Sequence, residues 1–247
     1  YEGEERDEES YIKDLEDIIR LYVEHEDKEL DTQGALCLKE LADYYFELGN
    51  KKKTEEIIDR YLAVYLHQDN KKLLESTDYV KLVKAQLLFE KGAFEESREL
   101  AKQIDRKINL DLLEQRELLM AECDFKLMNI DEAITEYEYY LSRFGDRHLE
   151  DKKEKIYWNL VELFLRISNK DKALDYLDKI IKIGKMDIKE LEAYRIKGNL
   201  LDEYSKGLSF KVYMEGISKF HFNPELKIQN IIINIYSRIA SLVTEDN

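Results

Sequence analysis

The sequence predicts an all-α fold, an α-solenoid in which about five similar helical hairpins follow one another, with one further helix at each end. Helix-breaking residues are scarce, since the 247 residues include 1 proline and 9 glycines. Apolar residues recur at the spacing of one helical face, and a helix–turn–helix pattern returns along the chain. A single hairpin cannot bury its apolar stripe alone, so neighbouring copies are expected to stack.

Composition and charge restrict the class of partner. Hydrophobic residues make up 44% of the chain, charged residues 38%, and the formal net charge is −15. This surplus repels nucleic acid and anionic membranes, so no direct nucleic-acid binding is expected of this region. No apolar run reaches the roughly eighteen residues of a spanning helix, so no membrane span is expected.

The two cysteines and the first residue bear on location. Cys37 and Cys123 lie far apart in apolar helical stretches, which predicts two buried thiols and favours a reducing compartment. We therefore expect a cytoplasmic protein, with a processed exported protein as the alternative. Because the chain begins with Tyr1 rather than Met, a fragment or a processed form is also expected.

The predicted elements follow in order along the chain. Residues 1–9 form a solvated acidic tail, and residues 10–247 a single solenoid domain. The first helix, at about 10–25, either caps one end or is the second half of an earlier repeat. The repeats cover about 32–67, 76–108, 111–144, 149–183 and 187–220, and a helix at 224–243 caps the other end.

A small residue early in each second helix gives the register of the repeats. Such a residue is needed where the two helices of a hairpin cross closely. Phe210 breaks the pattern, so the fifth hairpin is expected to pack differently. Aligning the turns gives steps of 43, 36, 40 and 37 residues along the series Thr54, Ser97, Ala133, Ala173 and Phe210.

Turn and capping residues mark the predicted helix ends. Gly49 and Gly92 fall where the chain reverses and suit a left-handed cap. The segment Asp187–Glu190 has the spacing of a capping box. Asn223 is predicted to cap the last helix, with Pro224 as its first helical residue.

The paired-helix unit resembles the tetratricopeptide repeat, from about residue 35 to 222. The third unit keeps Asp131–Tyr137 but has Asp124 where the repeat has tyrosine, and the closing proline is missing from the first four units. The resemblance implies an interaction module whose first helices line a concave groove for a peptide or a partner's helix. In outline it is also similar to the repeat domains of peptide-sensing regulators of Gram-positive bacteria. The match is clearest in the fourth unit, at Tyr157, Leu160, Val161, Phe164, Ala173 and Leu177.

Two sets of groove candidates follow from this register. Phe46, Phe89 and Phe125 occupy equivalent places, and they either pack between repeats or form an apolar floor for a ligand. The other set lies off the packing stripe in the fourth and fifth repeats: Lys155, Trp158, Asn159, Glu162, Arg166, Arg195 and Asn199.

The two asparagines are the sharpest members of the second set. Asparagine is unfavourable inside a helix, and its amide offers the donor and the acceptor that a peptide backbone requires. The resemblance implies backbone contacts for Asn159 and Asn199, with Lys155 and Arg195 as carboxylate partners. The alternative is a pair of solvated or locally bonded amides.

Catalytic chemistry is not indicated. The four histidines lie near predicted helix ends and share no metal-ligand spacing: His25, His67, His148 and His221. We predict a non-enzymatic protein, without cofactor or metal, that binds a protein or peptide. The alternatives are the ligand-sensing domain of a peptide-regulated transcription factor, with its DNA-binding domain absent here, and an assembly scaffold that uses convex or end surfaces.

Overall fold

A computed structural model describes residues 8–67, 70–105, 109–147 and 150–244. All regular structure in these residues is helical, which confirms the predicted all-α solenoid of tetratricopeptide-like hairpins. Most of the predicted acidic tail, and His148, lie outside the described residues. The α-helices are α1 (Glu8–Tyr22), α2 (Lys28–Glu47), α3 (Lys51–Tyr65), α4 (Leu74–Glu90), α5 (Phe94–Lys102), α6 (Leu110–Leu127), α7 (Ile130–Phe144), α8 (Glu150–Arg166), α9 (Lys170–Ile183), α10 (Ile188–Asp202), α11 (Lys206–Phe220) and α12 (Leu226–Thr244), with a 3-10 turn at Gly145–Arg147.

The helices pack in sequential pairs. Contacts join α2 to α3, α4 to α5, α8 to α9 and α10 to α11, and further contacts join α3 to α4, α5 to α6 and α9 to α10. The chain divides into two compact units inside α7, the first ending at Glu136 and the second beginning at Tyr137. In the first unit α1 packs on α2, and in the second α12 packs on α10 and α11.

Each unit has its own apolar core. In the first unit one cluster joins α1 to α4 around Leu15, Leu38 and Tyr61, and another joins α4 to α6 around Leu82. In the second unit a cluster joins α10, α11 and α12 around Tyr213. Every described helix is too short or too polar to cross a membrane.

The small residue of each second helix is fully buried, as expected from close helix crossing. It is the fourth helical residue in α3, α5, α7, α9 and α11. The assignment of Phe210 to this place was wrong: Phe210 is 43% exposed, whereas Ser209 is buried and its Oγ donates to the Gly198 carbonyl at 2.8 Å. Because Ser205 caps α11, the helix begins at Lys206 and its fourth residue is Ser209, one position before Phe210. The buried series is therefore Thr54, Ser97, Ala133, Ala173 and Ser209.

The predicted helix ends are partly confirmed. Gly49 and Gly92 have left-handed backbone, with φ of 69° and 80°. The Asp187 side chain caps α10 by accepting from the Glu190 N–H at 3.0 Å. The predicted start of α12 was wrong, because Asn223 accepts from the Glu225 N–H in a local turn and the helix begins only at Leu226.

The cysteines are free. Cys123 is fully buried and contacts the Ser97 hydroxyl at 3.4 Å, and burial raises the pKa of its thiol to about 11. Cys37 is half-buried, so only one of the two predicted buried thiols is fully enclosed.

Candidate functional site

The candidate site lies in the second unit, where α8 and α10 bound a cavity of about 380 Å³. A cavity of this size can take one large side chain or a short stretch of peptide. Trp158 comes from α8, and the other lining residues come from the first half of α10: Ile188, Lys189, Glu192, Arg195 and Ile196.

Helical periodicity explains why α10 presents these residues together. Leu191, Tyr194 and Gly198 form the buried stripe of α10. The positions 188, 192, 195 and 196 form an adjacent stripe at steps of three and four residues. Asp187 begins the helix and so fixes where this stripe starts. The buried stripe of α10 therefore determines which residues form the cavity wall. The alignment of the repeats, which identifies that stripe, could have predicted them.

Trp158 has an unused donor. The side chain is half-buried, and its indole Nε1 is enclosed without a hydrogen-bond partner among residues the structure describes. Buried indole N–H groups usually find an acceptor, and leaving one unpaired costs about 1–3 kcal/mol. The Trp158 ring lies at the cavity, and a ligand carbonyl or carboxylate could satisfy this donor once a small turn of the side chain exposes Nε1.

Charged groups of both signs stand at the cavity. The Arg195 Nε and Glu192 Oε2 atoms are 2.6 Å apart, and both side chains are one-third exposed. Lys189 is exposed and lies 3.5 Å from the buried carboxylate of Glu154. A ligand carboxylate could approach Arg195 only by competing with Glu192.

The two predicted asparagines are half-buried and bonded to tyrosines. The Asn159 Nδ2 donates to the Tyr137 hydroxyl at 2.8 Å. The Asn199 Oδ1 accepts from the Tyr213 hydroxyl at 2.5 Å, and the Arg238 Nε of α12 lies 3.5 Å away. Neither tyrosine was predicted from the sequence as the partner of an asparagine. Each tyrosine lies four residues after the small buried residue of its helix, so its ring was expected to be buried. Because a buried phenol hydroxyl needs a hydrogen-bond partner, this spacing could have indicated the pairing.

The remaining predicted residues of α8 are at the surface. Glu162 and Arg166 form an exposed ion pair, with Oε1 and Nη2 2.6 Å apart, one helical turn along. Lys155 is exposed. Of the predicted set, the structure places Trp158 and Arg195 at one cavity.

The predicted phenylalanines belong to the first unit. Phe89 packs on the core cluster of α4 to α6 and meets Phe94 edge-on, with ring centroids 5.1 Å apart. Phe125 is half-buried, with the Lys126 ammonium 5.8 Å from its ring centroid. Phe46 is 37% exposed. The contacts of Phe89 are those of a packing residue, while Phe46 retains a free surface.

A polar cluster in the first unit was not expected from the sequence. The fully buried Asp124 pairs with the Arg98 Nε at 2.6 Å and accepts from the Asn129 Nδ2 at 2.7 Å. Burial, together with the charge and hydrogen bond of Asp124, raises the pKa of the Glu136 carboxyl to about 7. In the described part of the chain, no three His, Cys, Asp or Glu side chains are grouped as a metal site.

Comparison with known proteins gives structural neighbours only. No family model and no curated protein matches the chain. A structure of MamA matches with a TM-score of 0.54 at 13% identity, over 78% of this chain and 97% of that one. BtubC (BKLC) from P. vanneervenii matches with 0.52 at 16%, over 96% and 90%. The apo form of RapI matches with 0.53 at 16%, over 93% and 72%. At such identities the likeness is one of fold.

Proposed function

The chain has the fold of tetratricopeptide-repeat proteins, and from this premise we propose that it is a non-catalytic module that binds a peptide or an extended segment of a partner protein on α8 and α10. The observation that carries the proposal is the unpaired indole N–H of Trp158 beside the cavity. Folding leaves this donor unsatisfied at a cost, and a ligand acceptor would recover it.

The cavity chemistry defines the segment that fits. Ile188, Ile196 and the Trp158 ring supply apolar walls for one large side chain of the ligand. Arg195 lies at the same cavity and can bind a carboxylate of the ligand in place of the Glu192 carboxylate. The best ligand is therefore an apolar residue with an acidic side chain or a chain terminus next to it.

The two amides extend the proposed contact along the helices. The fold already uses the nitrogen of Asn159 and the oxygen of Asn199. The oxygen of Asn159 and the nitrogen of Asn199 are then the atoms that would face a ligand backbone. Lys155, Glu162 and Arg166 would form the charged rim. Phe125 remains a candidate for a separate contact on the first unit, whereas Phe89 packs against the core there.

The test uses peptides selected for binding. Seven-residue peptides displayed on phage are selected against the chain, and the binders are measured by calorimetry. Trp158→Phe keeps an aromatic ring at the cavity, although a smaller one, and removes the donor, so affinity should fall about tenfold. Arg195→Ala should weaken acidic peptides similarly. Lys182→Ala, on the exposed side of α9, is the matched control and should leave affinity within about twofold.

Two outcomes count against the proposal. Either no peptide is selected, or the selected peptides bind the Trp158 and Arg195 variants as tightly as the unchanged chain. Trp158 is the only tryptophan, so a bound peptide should also change the emission of the protein.

A further inference from the structure

Helix α12 has two apolar faces, of which one is covered. Its covered face packs on α10 and α11 through Ile228, Ile231, Ile232, Ile235 and Leu242. A second, flanking side leaves large apolar side chains in solvent, with exposed fractions of 74% for Leu226, 62% for Ile233, 51% for Tyr236 and 56% for Val243. Exposure on this scale along one helix is typical of an interaction surface rather than of scattered surface residues.

The exposed residues follow the spacing of a coiled-coil seam. Steps of seven residues join Leu226 to Ile233 and Ala240, and they join Gln229 to Tyr236 and Val243. These are the a and d positions of successive heptads, the spacing at which a second helix of similar length packs. The seam residues are therefore Leu226, Gln229, Ile233, Tyr236, Ala240 and Val243.

We propose that this seam is a homodimer interface, in which α12 pairs antiparallel with α12 of a second copy of the chain. In an antiparallel pair each a residue faces a d residue of the other helix. One two-fold register then satisfies every layer, with Leu226 against Val243, Ile233 against Tyr236 and Ala240 against Gln229. Each layer pairs a larger with a smaller side chain, as a close-packed seam requires.

The charges of α12 permit pairing with an identical chain. The chain has a net charge of −15, which opposes most self-association. Helix α12 has no acidic residue, and its basic residues, Lys227 and Arg238, lie off the seam. The positions beside the seam on its open side are Asn230, Ser237 and Thr244, which are uncharged. Within residues 226–244, therefore, no like charges would meet across this interface.

The available area fits a reversible dimer. For side chains of this size, the exposed fractions leave roughly 450 Å² of surface per copy, so pairing removes at most about 900 Å², which is just below the roughly 1,000 Å² minimum of a stable interface and in the range of weak, transient ones. We expect micromolar dissociation and a monomer–dimer equilibrium.

Sedimentation velocity of the whole chain between about 1 and 200 µM tests the proposal. The unchanged chain should shift from monomer to dimer across this range. Ile233→Glu places two buried charges near the two-fold axis and should abolish the dimer. Asn234→Glu, an exposed neighbour off the seam, is the matched control and should dimerise as the unchanged chain does. Helicity by circular dichroism verifies folding, and Val243→Glu provides a second seam variant.

Cysteine cross-linking tests the register. On a Cys37→Ser background, Ile233→Cys and Tyr236→Cys are made in separate chains, one of them tagged to distinguish its size. The antiparallel register predicts that the two variants, mixed and oxidised, form mixed disulfides in excess of either homodimer. Cross-linking of each variant mainly to itself would show a parallel pair and overturn the register.

The sedimentation data can also overturn the interface. A monomer at every concentration leaves the seam to a different occupant, and a dimer that survives both seam substitutions uses another surface. Either result contradicts the proposal, and neither touches the peptide site on α8 and α10, which has its own variants.

Discussion

Asp124 shows how one departure from the repeat pattern changes the chemistry of a core. Where the pattern has tyrosine, this chain buries a carboxylate, which then requires the Arg98 guanidinium and the Asn129 amide as partners. Burial raises the pKa of the nearby Glu136 carboxyl, and the charges of Asp124 and Glu117 raise it further. Two carboxyl groups so placed favour one shared proton.

The raised pKa of Glu136, about 7, makes stability depend on pH. The unfolded carboxyl titrates near 4.3, so between these values the folded chain holds a proton that the unfolded chain lacks. The stabilisation is complete below about pH 4 and is lost as pH rises through about 7. The free energy of unfolding, measured by urea titration, should therefore fall between pH 5 and 8 in this part of its profile.

Glu136→Gln should remove that contribution. The neutral amide keeps a donor for Asp124, so the variant should be more stable than the unchanged chain at pH 8 by at least about 1 kcal/mol, and the difference should shrink to zero only at about pH 4. Glu132→Gln, an exposed residue of the same helix, should keep the original pH slope. An unchanged slope in Glu136→Gln would show that the carboxyl pair does not share its proton.

At this scale the sequence indicated residue types better than their partners. The small residue of the fifth repeat was assigned one position too late because the alignment followed the turn and ignored Ser205 as the helix cap. The amides of Asn159 and Asn199 were correctly singled out as unusual. Their tyrosine partners are at positions 137 and 213. Such distant pairings depend on how the helices stack, which cannot be inferred directly from a single sequence.

Among the elements, α10 and α11 are held at close approach by a missing side chain. A Cβ on Gly198 would lie 2.2 Å from the Cε1 atom of Tyr213. That ring is buried and its hydroxyl is bonded to Asn199, so it cannot move aside cheaply. Glycine at position 198 is thus a packing requirement in this hairpin.

Gly198→Ala should destabilise the chain despite the better helix propensity of alanine. Overpacking costs about 1–3 kcal/mol, which exceeds the gain of about 1 kcal/mol in propensity. Gly207→Ala, at an exposed position in the first turn of α11, meets only the Ser205 hydroxyl at 3.8 Å and should be neutral or slightly stabilising. Thermal unfolding by circular dichroism compares the two; equal melting temperatures would contradict the packing argument.

Helix existence was predictable, while helix ends were less so. Every helix of the predicted series is present, because each has an apolar stripe at helical period. The first helix spans 8–22 instead of 10–25, and the last begins two residues after Pro224. At both places local turn hydrogen bonds compete with the helix, and composition does not decide between them.

For the whole molecule, 54 acidic residues exceed 39 basic ones, so the negative charges of the folded chain repel one another on balance. Raising NaCl from about 10 to 300 mM shortens the Debye length from roughly 30 to 6 Å and screens this repulsion. The melting temperature measured by calorimetry should rise by a few degrees. A fall would show that the surface ion pairs, such as Glu162 with Arg166, outweigh the net repulsion.

The division into two compact units was not predictable. It falls inside α7, between Glu136 and Tyr137, where the helical pattern continues without a linker or a change in composition. Domain boundaries are usually found from such changes. Contacts between neighbouring repeats decide this division, and those depend on the packed structure.

The buried fourth residue of each second helix also bears on how the chain could have lengthened. In the fifth hairpin Ser209 fits against Gly198 of the same hairpin, and in the second Ser97 donates to Ala85. In these hairpins the close contact between the two helices is therefore made within the hairpin and does not depend on its position in the series. Gene duplication or loss of one such segment, cut in the variable loops, would change the copy number of hairpins while leaving the fit inside each remaining one intact.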